Sequence, residues 1–212
     1  MERLYETGEL LVCCKAAGIP SQADSRGGPS MVSLLTEETG RAVYPVHRLD
    51  KPVGGVMVYA KTAGAAASLT KAVQSGEFRK EYLAVLKGVP AAPSGRLEDL
   101  LYHDPRRNKT YVVDRRRRGV REAVLDYETI AQSDGLTLVR VRLLTGRTHQ
   151  IRAQFSSRGL PLSGDGPYGG GSGPMGLWAV RLAFPDPAGG RVLDFQKLPP
   201  DSPPWNMFPA VF

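Results

Sequence analysis

Cysteine is nearly absent: two in 212 residues, Cys13 and Cys14, side by side. Adjacent cysteines rarely bridge to each other, and two thiols with no neighbouring Cys or His make a poor zinc site. A disulfide scaffold is therefore not expected, and a reducing cytoplasm is the default setting. Histidine is scarce as well, at positions 47, 103 and 149, with no metal-ligand spacing. No apolar run approaches the ~18 residues that a membrane span needs. The opening MERLYETGELLVCCK carries acids and lacks a basic stretch followed by a long apolar one, so it does not read as a secretion signal. Internal repeats and low-complexity linkers are missing too. What is left, 42% hydrophobic and 23% charged, is the composition of an ordinary folded soluble protein. The length suits one domain, 1–212, with a monomer as the default.

The net charge is +7, and its distribution says more than its total. Between Asp104 and Arg121 stand eight Lys or Arg (Arg106, Arg107, Lys109, Arg115, Arg116, Arg117, Arg118, Arg121) against two Asp, so this segment alone holds +6. A charge run is usually a solvated face. Concentrating almost the whole excess in one segment points to a polyanionic partner, nucleic acid first.

Strand signals predominate along the chain. They fall at about 9–14, at the continuously apolar GVMVYA (55–60), at KEYLAVLKG (80–88) and at LTLVRVRLL (136–144), where Arg140 and Arg142 alternate with apolar residues. LWAVRLAF (177–184) is another. NKTYVVD and REAVLDYETIA flank the arginine tetrad and are expected to form a hairpin with Arg115–Arg118 at its tip. Helices are expected at SLLTEET, stopping at Gly40, at AGAAASLTKAVQSG, ending on Gly76, and from Thr148 to Gly159. Residues 21–30 read as loop, and the proline-rich tail is expected to wrap the surface. Few helices among many antiparallel strand signals argue for an α+β fold with a mixed, mostly antiparallel sheet.

Several motifs fail. Gly164, Gly166 and Gly169 have dinucleotide-fingerprint spacing, but Pro167 and Pro174 forbid the helix that must follow, so SGDGPYGGGSGPMG reads as a mobile loop or lid. No Ser lies in a tight Gly-x-Ser-x-Gly turn. Paired-carboxylate glycoside chemistry could draw on Asp50 and Asp165, though nothing in the spacing makes them meet.

Three segments set polar groups at element ends: HRLD (47–50), KEY (80–82) and GRTHQIR (146–152). Each residue alone has a structural reading, with Asp50 in an ion pair to Arg147 or Arg48, Tyr82 as a core aromatic, and His149 and Gln150 capping a helix. Together they resemble the RluA-like pseudouridine synthases over nearly the whole chain. HRLDKPVGGVMVYAKT is similar to that family's catalytic segment, KEYLAVLKG to its Lys-x-Tyr strand, and GRTHQIRAQFSSRGLPLSGDGPYG to its Arg-Thr-His-Gln-Ile-Arg helix and Gly-Asp-x-x-Tyr-Gly loop. Three departures stand out: Val53-Gly54 replaces the usual Thr-Ser, Lys15-Ala16 the Lys-Pro, and Trp178-Ala179 the His-Ala.

The resemblance implies a pseudouridine synthase-type fold, with a cleft between two lobes, a few flanking helices and no appended RNA-binding module. It implies isomerisation of uridine in ribosomal or transfer RNA, with no cofactor and no metal. One carboxylate suffices: Asp50 acts as nucleophile on the sugar or as base at C2′. Arg147 is the implied ion-pair partner, and Tyr82 stacks on the uracil. Arg48 fills the gap left by the flipped nucleotide, whose extrusion costs a few kcal/mol. The expected substrate contacts are His47, Arg48, Lys80, His149, Gln150, Arg152, Arg115, Arg116, Arg117 and Arg118. Two other classes compete: a catalytically silent RNA-binding protein on the same scaffold, and a base-excising glycosylase.

Overall fold

Alternating and continuously apolar runs become eleven strands, and three short amphipathic stretches become helices, in a computed structural model that describes residues 2–23 and 27–211. In chain order these are β1 (Glu2–Glu6), β2 (Leu10–Lys15), α1 (Met31–Thr39), β3 (Tyr44–Pro45), β4 (Gly54–Ala60), α2 (Ala63–Ser75) and β5 (Arg79–Lys87). There follow β6 (Ser94–Asp104), β7 (Lys109–Val113), β8 (Val120–Ser133), β9 (Leu136–Leu143), α3 (Gln150–Ser156), β10 (Leu177–Pro185) and β11 (Val192–Gln196). The loop expected at 21–30 includes residues 24–26, which lie outside the described residues. No helix among the described residues is long and apolar enough to cross a membrane. The chain forms two compact units, residues 1–80 with 179–199, and residues 81–178 with 200–212.

In the first unit the strands run in the order β1-β2-β4-β10, with β11 on β10 and β3 on β4. The β1–β2, β2–β4, β3–β4 and β10–β11 pairs are antiparallel. Every residue of β4 is buried, which explains its unbroken apolar sequence. Gly55 is required there: at φ 125° a Cβ would stand 2.2 Å from the carbonyl oxygen of Ala179 on β10. Helix α2 begins where the Thr62 hydroxyl accepts from the Ala65 N–H at 3.1 Å and ends on left-handed Gly76. Its small face, Ala65, Leu69 and Ala72, packs with Val56, Val58 and Phe184. Cys13 is buried and Cys14 partly so, and both thiols are free. Burial pushes the Cys13 thiol up to about 12.

In the second unit the order is β5-β9-β8-β6-β7. This corrects the expected hairpin: β7 and β8 each pair antiparallel with β6, which lies between them. The tetrad therefore sits on a connection that crosses β6, not at a hairpin tip. Strand β6 escaped notice because its apolar residues are sparse among charges and follow two prolines. Helix α3 is also shorter than expected, entered from His149 in the left-handed region (φ 53°) without a side-chain cap. The glycine-rich segment is closely packed. A Cβ on Gly170 would stand 1.7 Å from the Leu162 carbonyl oxygen, and one on Gly164 would stand 2.0 Å from that of Pro174, so these glycines mark tight backbone packing. The tail returns two large apolar residues, Trp205 and Phe208, to buried positions.

Candidate active site

The HRLD segment crosses irregular backbone between β3 and β4, and the first unit anchors it through several donors. The Leu49 N–H donates to the Ser21 hydroxyl oxygen at 3.0 Å, and that hydroxyl donates back to the Leu49 carbonyl at 2.8 Å. Asp50 opens a turn in which its carbonyl accepts from the Val53 N–H at 3.0 Å. The next carbonyl, of Lys51, accepts from the Gly18 N–H at 2.8 Å and from Lys15 Nζ at 3.2 Å. Lys15 is wholly buried, and its ammonium also donates to the carbonyls of Ala16 (3.0 Å) and Ile19 (2.6 Å). Burial pushes its pKa down to about 8, while the negative charge of Asp50 acts the other way. A buried cation thus lies within electrostatic reach of the half-buried carboxylate.

His47 is tied to the same anchor. Its Nε2 accepts from the Val58 N–H at 3.2 Å, so in the neutral ring the proton is on Nδ1, which is buried and has no hydrogen-bond partner among the described residues. Burial, and then the Lys80 charge, push the imidazole down to about 3. His47 is therefore neutral at ordinary pH, and its ring lies against Phe78. Arg48 is exposed and Lys80 half-buried.

In the second unit Tyr82 is buried on β5. The GRTHQIR segment divides sharply. Gln150 is spent within the protein: its Oε1 accepts from the Arg147 N–H (3.0 Å) and the Thr145 hydroxyl (2.8 Å), and its Nε2 donates to the Val124 carbonyl (3.1 Å). Arg147 is exposed, its Nε donating to the Glu122 carbonyl at 2.8 Å. Arg152 is buried and donates twice to the wholly buried Asp165, at 2.7 and 2.8 Å. Its guanidinium also stands 4.8 Å from the Tyr168 ring centroid. The Tyr168 hydroxyl accepts from the Thr110 N–H at 2.7 Å and lies 3.0 Å from His149 Nδ1.

Arg115–Arg118 are all exposed. Arg116 pairs with Glu122, Arg115 with Asp114 at 3.7 Å, and Arg117 stacks 4.8 Å from the Tyr102 centroid. Sequence reasoning missed Ser21, Thr110, the anchoring role of Lys15, and the joining of Arg152, expected only as a substrate contact, to Asp165 and Tyr168. Only the last had a signal: Asp165 and Tyr168 hold the polar positions of the Gly-Asp-x-x-Tyr-Gly loop.

Solved structures define the class of fold. The chain matches human RNA pseudouridylate synthase domain containing 1 with a TM-score of 0.80, at 21% identity over 95% of this chain and 84% of that one. Against human RNA pseudouridylate synthase domain containing 4 the TM-score is 0.76, at 23% identity over 93% and 88%. The chain itself belongs to the RNA pseudouridylate synthase family, whose model matches residues 9–157. It is 37% identical over 182 residues to ribosomal large subunit pseudouridine synthase D of Pseudomonas aeruginosa, covering 80% of this chain and 54% of that protein. It is 33% identical to an uncharacterized RNA pseudouridine synthase, YhcT, of Bacillus subtilis, covering 81% and 59%. With the uncharacterized RNA pseudouridine synthase ZMO0505 of Zymomonas mobilis it shares 32% identity over 78% and 77%. The chain thus spans a little over half the length of the first two relatives.

Proposed function

We propose that this chain isomerises uridine to pseudouridine in ribosomal or transfer RNA, with Asp50 as its reacting group. The observation that carries the reading is Asp50 itself: a single half-buried carboxylate on a turn anchored by Lys15 and Ser21, inside the segment that matches the family. A carboxylate held in place beside a buried cation keeps its charge as substrate displaces water. It then attacks ribose C1′, or removes the C2′ proton, as the N1–C1′ bond breaks and uracil departs with the bonding pair. The base turns, and C5 bonds to C1′ as the Asp50–C1′ bond breaks or, on the second route, as the proton returns to C2′; the C5 proton then leaves for solvent and N1 takes one up. Atoms balance without a redox partner.

Tyr82 is assigned to stack on the base. A tyrosine hydroxyl, with a reference pKa near 10, is a poor unaided base, so stacking is the role Tyr82 can fill. A guanidinium that keeps a carboxylate charged in a dry site has to be dry itself. Arg152 is buried, and Asp165 occupies two of its five donors, whereas Arg147 is exposed. We therefore assign Arg152 to hold the Asp165 loop within the second unit and Arg147, whose ion-pair role the resemblance implied, to an RNA contact. Arg48, exposed at the same turn, fills the space of the flipped nucleotide, and Arg115–Arg118 contact phosphates.

The test is tritium release from ribosomal and transfer RNA carrying uridine labelled at C5. Release with the base retained in the strand is expected. Release of free uracil would make the protein a glycosylase, and RNA binding without release would make it a silent binder.

A further inference from the structure

The second unit contains two hollows of opposite character. The larger, about 320 Å³, is lined by Glu98, Asp99 and Glu122 and repels anions. The smaller, about 180 Å³, holds Arg121, Arg147, His103 and Thr110, with no Asp or Glu in its lining. At roughly 30 Å³ per water it has room for about six waters. Neither Arg121 nor Arg147 has an ion-pair partner among the described residues, so their charge is not cancelled locally. Arg147 is nonetheless oriented, because the Glu122 carbonyl holds its Nε.

The histidine is oriented as well. The Thr110 hydroxyl donates to the Thr148 carbonyl at 2.8 Å, so its oxygen accepts from His103 Nδ1 at 3.1 Å. That chain fixes the Nδ1 proton and leaves Nε2 as the remaining polar atom of the ring. Gly119 also lines the hollow, in a left-handed conformation (φ 87°), directly after the exposed Arg115–Arg118 run. A polyanionic strand tracking those arginines would reach the hollow with no side chain at residue 119 in its way. Two guanidiniums and a fixed imidazole, without an opposing carboxylate, match a phosphate oxyanion.

We propose that this hollow binds one phosphodiester of the substrate RNA backbone, with Arg121 and Arg147 as its ligands and His103 held beside them. The proposal rests on the RNA reading above and adds a defined phosphate position to it.

The three histidines of the chain make ring NMR a direct probe. Protein labelled with ¹³C-histidine is titrated with inorganic phosphate, with the trinucleotide UpUpU, and with its uncharged methylphosphonate analogue. The His103 signals are expected to move saturably with UpUpU, at lower concentration than with inorganic phosphate, and not with the analogue. In Arg121→Gln the UpUpU affinity should fall roughly tenfold, as for loss of a charge-assisted fork. Arg140→Gln, an equal charge change on β9, should cost much less. Equal losses in the two variants, a silent His103, or a response to the analogue would each overturn the site. Tighter binding of inorganic phosphate would overturn RNA as its source. Tritium release by the wild type is scored separately. Release with a silent His103 removes the site and leaves the isomerase reading standing, whereas a His103 response without release keeps the site and removes the isomerase.

Discussion

Arg152 and the run Arg115–Arg118 carry one side-chain type into opposite surroundings. Arg152 is packed against Tyr168 and forked onto an aspartate with no exposed surface, so its geometry is fixed before any ligand arrives. The four consecutive arginines stand in water on the connection that crosses β6, and their ion pairs are exposed ones of small worth. A desolvated charge defines a position and costs stability when broken. A solvated one attracts polyanions and is cheap to change. The comparison extends to the Asp50 turn, which is organised in the buried manner, with Lys15 and the neutral His47 as its anchors.

The largest stability effect should come from breaking the buried fork. Arg152→Ala leaves Asp165 buried without its partner and should cost about 3–5 kcal/mol by urea unfolding. Arg152→Met combined with Asp165→Leu should recover much of that loss. If the single variant unfolds like the wild type, the fork is not structural.

Next in size is the pH behaviour of the buried anchors. The Lys15 pKa is lowered from 10.5 to about 8, so between those values the unfolded chain holds a proton that the folded one has lost. Stability relative to Lys15→Met should therefore rise with pH across that window, by about 3 kcal/mol at the order-of-magnitude level. His47 is lowered from 6.5 to about 3 for the same reason, so its contribution is complete above 6.5 and is lost as pH falls toward 3. By chemical unfolding, the stability of wild type relative to His47→Gln should rise as pH goes from 3 to 6.5 and level off above that. Parallel curves would mean that His47 titrates normally.

Smallest in stability is replacement of Arg115–Arg118 by Ser, expected to shift unfolding by no more than about 0.5 kcal/mol per residue. RNA affinity should nevertheless drop and its salt dependence flatten, by about 0.7 in logarithmic slope for each phosphate that is no longer neutralised. Unchanged binding would make the run a solvated connection only.

Much of this contrast was legible in the residues. The apolar run at 55–60 reads as a strand covered on both faces, and Gly76 ends α2 as expected. The Asp50, Tyr82 and GRTHQIR segments were visible because motif spacing survives in one dimension. Strand β6 was not, because its burial comes from α3 and its neighbours, not from its own pattern. For the same reason the tetrad was placed on a hairpin that does not exist. Lys15 and Asp165 were hidden because nothing local marks a charged residue for burial. Their partners are backbone carbonyls and an arginine thirteen residues away. Nor could the sequence say which arginine of GRTHQIR would be dry. Exposure decided that.

The most direct test of Asp50 as the reacting group is single-turnover tritium release by Asp50→Asn, with RNA binding measured on the same preparation. The account predicts binding within a few-fold of wild type and no detectable release. A variant that released tritium at the wild-type rate would show that the carboxylate is not what breaks the glycosidic bond.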